Sequence, residues 1–166
     1  MSATHIEPQT VALALAATMV LALAGALAWG VVRPVEAAAA QLALDHVKCF
    51  ALFDQPAGLR VSNVRAELRE RYGWDVALPD DDRDGGLTLV GGRRCVYLDG
   101  SVAHILYRHG DERVSVFVLP PDTRVTEGTA VVLGYAAVAF RRSGRTYVVL
   151  AHQSPARVAT IAQAFR

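Results

Sequence analysis

Residues 91–120 read GGRRCVYLDGSVAHILYRHGDERVSVFVLP. Apolar and polar residues alternate here with a period of two, which marks strands rather than helices. Asp99-Gly100 supplies the residue types of a two-residue hairpin turn, and Pro120-Pro121 ends the last strand. With Asp99 and Gly100 as the loop, paired residues have numbers summing to 199. Cys95 and His104 then stand directly opposite each other on one sheet face, with Cβ atoms about 4.5–5.5 Å apart.

The same period continues outward. Residues 87–90, 94–98, 102–107, 114–119, 131–140 and 146–150 read as strands, and Ser143-Gly144 is a second two-residue hairpin signal. Helical signals flank the strands. Val64, Leu68 and Tyr72 recur every four residues, Glu67 and Arg71 form an i,i+4 pair, Ser62 suits the N-cap and Gly73 the C-terminal cap. Ser154 followed by Pro155 opens a last helix with Val158, Ile161, Ala162 and Phe165 on one face. The expected fold class is α+β: an N-terminal transmembrane helix, then an antiparallel sheet flanked by helices.

The transmembrane expectation rests on residues 10–32, TVALALAATMVLALAGALAWGVV, which carry no charge. At about 1.5 Å per residue they would span roughly 34 Å, enough for about 30 Å of hydrocarbon. Trp29 suits the interface, and Arg33-Pro34 ends the run. Residues 1–9 lack the Lys or Arg of a signal peptide, which favours an uncleaved anchor, although VEAAAA after the run offers small residues to a peptidase. A buried globular helix is the third reading. The expected organisation is a short tail (1–9), a transmembrane helix (10–32), an alanine-rich helical linker (33–44) and a soluble α+β domain (45–166). One arginine beside the helix leaves orientation open on charge alone.

The chain of 166 residues holds 17 basic and 16 acidic residues, a net charge of +1. That balance argues against nucleic acid as a partner. Of the basic residues only Lys48 is lysine, a bias of the kind a GC-rich genome imposes.

Two cysteines and two histidines carry the chemistry. His46 and Cys49 form an H-x-x-C pair whose side chains share a face if the segment is helical, and Cys95 is set beside His104 by the hairpin. Joined, His46, Cys49, Cys95 and His104 make a Cys₂His₂ metal set suited to zinc or, through its sulfurs, to copper(I). The competing reading is a Cys49–Cys95 disulfide, closing a loop of roughly 46 residues and stabilising by about 4 kcal/mol. Two unpaired buried cysteines are the third. Asp80, Asp82, Asp84 and Gly85 begin like a calcium loop, but Gly91 stands where its Glu should be, so a solvated acidic loop is expected. His109 in HGDE reads as a surface residue. Neither G-x-S-x-G, P-loop nor H-E-x-x-H occurs, and Gly91-Gly92 is followed by another strand rather than a helix. No enzyme is expected.

Three of these segments, DHVKCF at 45–50, residues 91–120, and RSGRTYVVLA at 142–151, resemble the extracytoplasmic domain of bacterial transmembrane anti-sigma factors. The resemblance implies a single-pass inner-membrane protein with its C-terminal domain in the oxidising periplasm. It also implies a sensing role in transcription regulation and a protein partner in the envelope or inner membrane. Only residues 1–9 precede the apolar run, too few to fold into a sigma-binding domain, so direct sigma binding is not expected. A periplasmic metal-binding or envelope assembly module without a role in transcription is the alternative.

Overall fold

The computed structural model describes residues 17–21, 34–52, 60–79, 86–97, 100–123 and 125–166. The chain divides into Met1–Arg33 and Pro34–Arg166. In the first unit, residues 17–21 are helical, with Met19, Val20 and Leu21 exposed. The rest of the 10–32 stretch lies outside the described residues, as does the acidic loop at 80–85. Among the described residues no helix is long and apolar enough to cross a membrane.

The second unit is built on one six-stranded antiparallel sheet. In chain order the elements are α1 (Val35–Leu52), α2 (Val61–Tyr72), β1 (Leu87–Tyr97), β2 (Gly100–His109), β3 (Glu112–Val118), β4 (Gly128–Val132), β5 (Tyr135–Arg142), β6 (Arg145–Ala151) and α3 (Pro155–Ala162), closed by a short 3₁₀ turn, Gln163–Phe165. The strand order is β1-β2-β3-β6-β5-β4. The α+β class with an antiparallel sheet flanked by helices is thus present.

Side chains alternate between two covered faces. Val102, Leu106, Phe117, Ala137, Ala139, Val148 and Leu150 belong to one apolar cluster with Val35, Ala38, Leu42 and Phe50 of α1. Ala103, Ile105, Tyr107, Val114, Val116, Val118 and Val149 belong to the other, with Val64 and Leu68 of α2 and Val158 and Ile161 of α3. Burial on both faces explains why β3, β5 and β6 are buried almost throughout rather than at every second residue.

Helix α1 runs without a break through the alanine-rich stretch into DHVKCF, so 35–52 form one element packed on the sheet. Its first amide, at Val35, donates to Thr126 Oγ1 at 3.0 Å, satisfying one of the orphan donors of a helix start. Leu42 and Phe50 are fully buried, each stabilising by about 1.5–3 kcal/mol. Leu44, Val47 and Leu52 lie on its exposed side.

Several local expectations hold. Ser154 Oγ accepts from Arg157 N, with Pro155 in the first turn. Gly73 adopts φ 64° and ends α2, its N–H donating to Arg69 O. Ser143 and Gly144 take φ 50° and 76° between the paired Arg142 and Arg145.

Others need correction. Residues 87–90 and 94–98, read as two strands, are one: β1 passes through Gly91-Gly92 with an irregularity between Leu89 and Gly91. Residues 131–140, read as one strand, are two, because Leu133 (φ 51°) and Gly134 (φ 81°) turn the chain between the paired Val132 and Tyr135. Ser62 lies inside α2, and Arg60 holds the N-cap position without a side-chain bond. The β1–β2 register is offset by two residues from the expected one: Tyr97 pairs with Gly100, Cys95 with Val102, and His104 with Arg93.

Candidate functional site

A register offset of two keeps every side chain on its own face, because the strand period is two. Cys95 and His104 therefore still share the α1-facing side, now as diagonal rather than direct neighbours. Cys95 Sγ lies 3.6 Å from His104 Nδ1. Helix α1 delivers Cys49 from above. The two sulfurs and one ring nitrogen of His104 all lie within 4.8 Å of one another, and all three residues are buried. Both cysteines carry free thiols.

His46 stands one turn before Cys49 on the same helix but does not join this trio. Its Nδ1 lies 2.7 Å from Ser115 Oγ. Ser115 Oγ in turn lies 2.7 Å from His104 Nε2. The result is a continuous buried polar row, Cys49, Cys95, His104, Ser115, His46, drawn from α1, β1, β2 and β3. His104 and Ser115 are fully buried and His46 is 3% exposed.

Serine has one proton and two lone pairs, so Ser115 donates to one histidine and accepts from the other. Ser115 is not among the residues that the sequence patterns single out. The available signal was its position in VSVFV, a hydroxyl at an inward slot two residues before Phe117.

Aromatic rings wall the row. Phe117 stacks on His104 with centroids 4.0 Å apart. Phe50 and Tyr135 flank His46 at 5.0 and 4.9 Å. His46 also lines a cavity of about 320 Å³ together with Arg108, Glu112, Arg113, Tyr135 and His152, so this end of the row borders that cavity.

Removal from water governs the protonation of every member. Burial, reinforced by the positive charge of Arg113, pulls His46 down to about 4. Burial, with His46 and Arg93 adding to it, pulls His104 down to about 3. Both imidazoles are neutral at pH 7. Burial pushes the Cys49 thiol up, with Arg93 working against it. Burial and the neighbouring Cys49 push Cys95 up to about 12, again opposed by Arg93. The resting pair is thus two protonated thiols beside two neutral imidazoles.

No protein-family model matches the chain, and no curated protein matches it. The site is therefore read from its own chemistry. Two thiols and an imidazole at these distances can ligate a soft metal ion or exchange with a disulfide. His109 sits apart from the row, its Nε2 3.0 Å from an Arg157 guanidinium nitrogen at the surface. Gly92 serves packing: a Cβ there would come within 2.8 Å of Val64 Cγ1, so its absence lets α2 approach β1.

Proposed function

We propose that the chain is a membrane-anchored regulatory domain of the bacterial envelope, similar in role to the outer part of a transmembrane anti-sigma factor, and that it responds through the Cys49–Cys95–His104 cluster. The carrying observation is that Cys49 of α1 and Cys95 of the sheet meet in a buried cluster with His104. In sequence, only Arg33 and Pro34 separate helix α1 from the uncharged run at 10–32, the segment read as the anchor. A chemical change at Cys49 therefore acts on the element next to that segment.

Two changes are open to the pair. A partner disulfide can take two electrons and two protons from the thiols, leaving a Cys49–Cys95 bond that ties α1 to β1. A metal ion can take the place of the two protons. Loss of either tie leaves α1 held by its apolar contacts and by the His46–Ser115 and Val35–Thr126 hydrogen bonds, and its exposed residues Leu44, Val47 and Leu52 form a surface that a protein partner can read.

The test is a reporter for envelope-stress genes in the host, comparing the wild type, a deletion strain and a Cys49→Ser, Cys95→Ser double variant. The double variant is expected to lose the response to thiol oxidants and to metal while the protein accumulates normally. An output identical to wild type would reject the regulatory reading and leave a binding module without a role in transcription. That second reading draws on the Nδ1 of His104, which faces a sulfur while its Nε2 is held by Ser115, as in a protein that carries a metal.

A further inference from the structure

We propose that Cys49, Cys95 and His104 form a three-coordinate site for one monovalent copper ion, with Ser115 and His46 placed behind His104 to orient its ring. The inference rests on the reading of this cluster as the responsive centre, and it names what the centre takes.

Geometry is the first support. With metal–sulfur bonds of about 2.3 Å and a metal–nitrogen bond of about 2.0 Å, ligand atoms in a trigonal plane stand roughly 3.7 Å (sulfur to nitrogen) and 4.0 Å (sulfur to sulfur) apart. The Cys95–His104 separation is 3.6 Å, and the whole trio lies within 4.8 Å. The ligand atoms come from α1, β1 and β2, three elements that the surrounding apolar cluster holds together.

Ligand number selects the ion. Soft sulfur favours copper(I) or zinc over hard cations. A structural zinc site is closed by four ligands. Among the described residues the group contains three, and His46 is directed to Ser115 instead of to the sulfurs. Copper(I), a filled-shell ion, is stable with three ligands.

The ring behind the ligand is set for the task. For His104 to ligate through Nδ1, its proton must sit on Nε2. That N–H then donates to Ser115 Oγ, 2.7 Å away, and the serine hydroxyl donates to His46 Nδ1, also at 2.7 Å. Every proton is placed, and the ligand carries the second hydrogen bond that metal-bound histidines use to fix tautomer and orientation. Ser115 and His46 are positioning residues. On uptake, two S–H bonds break, their protons pass to solvent, two S–Cu bonds form, and copper remains +1.

The test uses the full-length chain in detergent, reduced and without oxygen, titrated with copper(I) held by a chromophoric chelator, with zinc(II) in a parallel titration. One copper per chain is expected, with X-ray absorption showing two sulfurs and one nitrogen. Cys49→Ser and Cys95→Ser should each weaken uptake at least 100-fold. His104→Ala should remove the nitrogen from the absorption spectrum, whereas His46→Ala should leave the two-sulfur, one-nitrogen shell intact. Ser115→Ala should weaken binding about 10–100-fold, with Ser115→Thr restoring it. Metal-free thermal unfolding of each variant separates a lost ligand from a lost fold.

Failure of the reduced wild type to bind copper would overturn the proposal. So would a four-ligand zinc shell that loses a nitrogen in His46→Ala. Copper bound as described with an unchanged envelope-stress reporter would instead reject the regulatory reading and leave the site standing.

Discussion

Ser115 is a small residue with a large share of the site's energetics. Two buried imidazoles depend on its one hydroxyl, and an unsatisfied buried polar group costs about 1–3 kcal/mol. Burial also sets how the metal-free chain responds to acid. An unfolded histidine takes up its proton near 6.5, whereas folded His46 stays neutral down to about 4 and His104 to about 3. Between these values the unfolded chain binds more protons, so stability is full above about pH 6.5 and falls as pH drops towards 4. Each histidine contributes about 1.4 kcal/mol per pH unit in that window. The charges that bear on the pair, Arg113 on His46 and Arg93 on His104, oppose protonation in the same sense. Denaturant unfolding at pH 7 and pH 5 should show this loss, and His46→Asn should remove roughly half of the slope. An equal slope in that variant would mean that other groups carry the acid response.

Among the elements, what could be read in advance was local, and what could not depended on packing. Ser154-Pro155 and Gly73 identify helix ends because the caps need only neighbouring atoms. Ser143-Gly144 identifies a hairpin because both positions require positive φ. Leu133-Gly134 hides a hairpin: a leucine at φ 51° contradicts the usual turn chemistry, and the run VVLGYAAVAF at 131–140 carries no polar residue to mark the turn. The Asp99-Gly100 signal implies a pairing two residues away from the one the strands adopt, and Cys95 and His104 still meet because a shift of two leaves both side chains on the same face. His46 could be placed beside Cys49 by helical spacing, but its distance from the sulfur trio depends on Ser115 of β3, far away in sequence. Gly91-Gly92 looked like a break in β1, yet Gly92 is where α2 touches the strand. Gly92→Ala should cost about 1–3 kcal/mol by overpacking, read as a lower thermal midpoint, with Val64→Ala in the same chain recovering part of it. Absence of recovery would show that the cost arises in the strand and not at the contact.

At the scale of the whole Pro34–Arg166 unit, one of the described helices covers one sheet face while two cover the other. Helix α1 is held to its face by apolar burial and by the His46–Ser115 hydrogen bond, and a covalent link between the two sulfurs would add a further tie that should register along the helix. Amide hydrogen exchange of the full-length chain is expected to show α1 more protected after Cys49–Cys95 oxidation than in the reduced form, with α2 and α3 unchanged because they pack on the opposite face. Equal protection of α1 in both states would mean that the pair does not govern its docking.

The single proton of Ser115 makes the two histidines a linked pair of indicators. If His104 Nδ1 gives its lone pair to a metal, the hydroxyl must turn towards His46, whose own proton then has to sit on Nε2, on the cavity side. Should His104 carry its proton on Nδ1 instead, its Nε2 claims the hydroxyl, and His46 must donate from Nδ1. What happens at a sulfur sealed beneath α1 is thereby copied, two hydrogen bonds away, into the nitrogen of His46 that holds hydrogen, where the ¹⁵N shifts of one imidazole would report it.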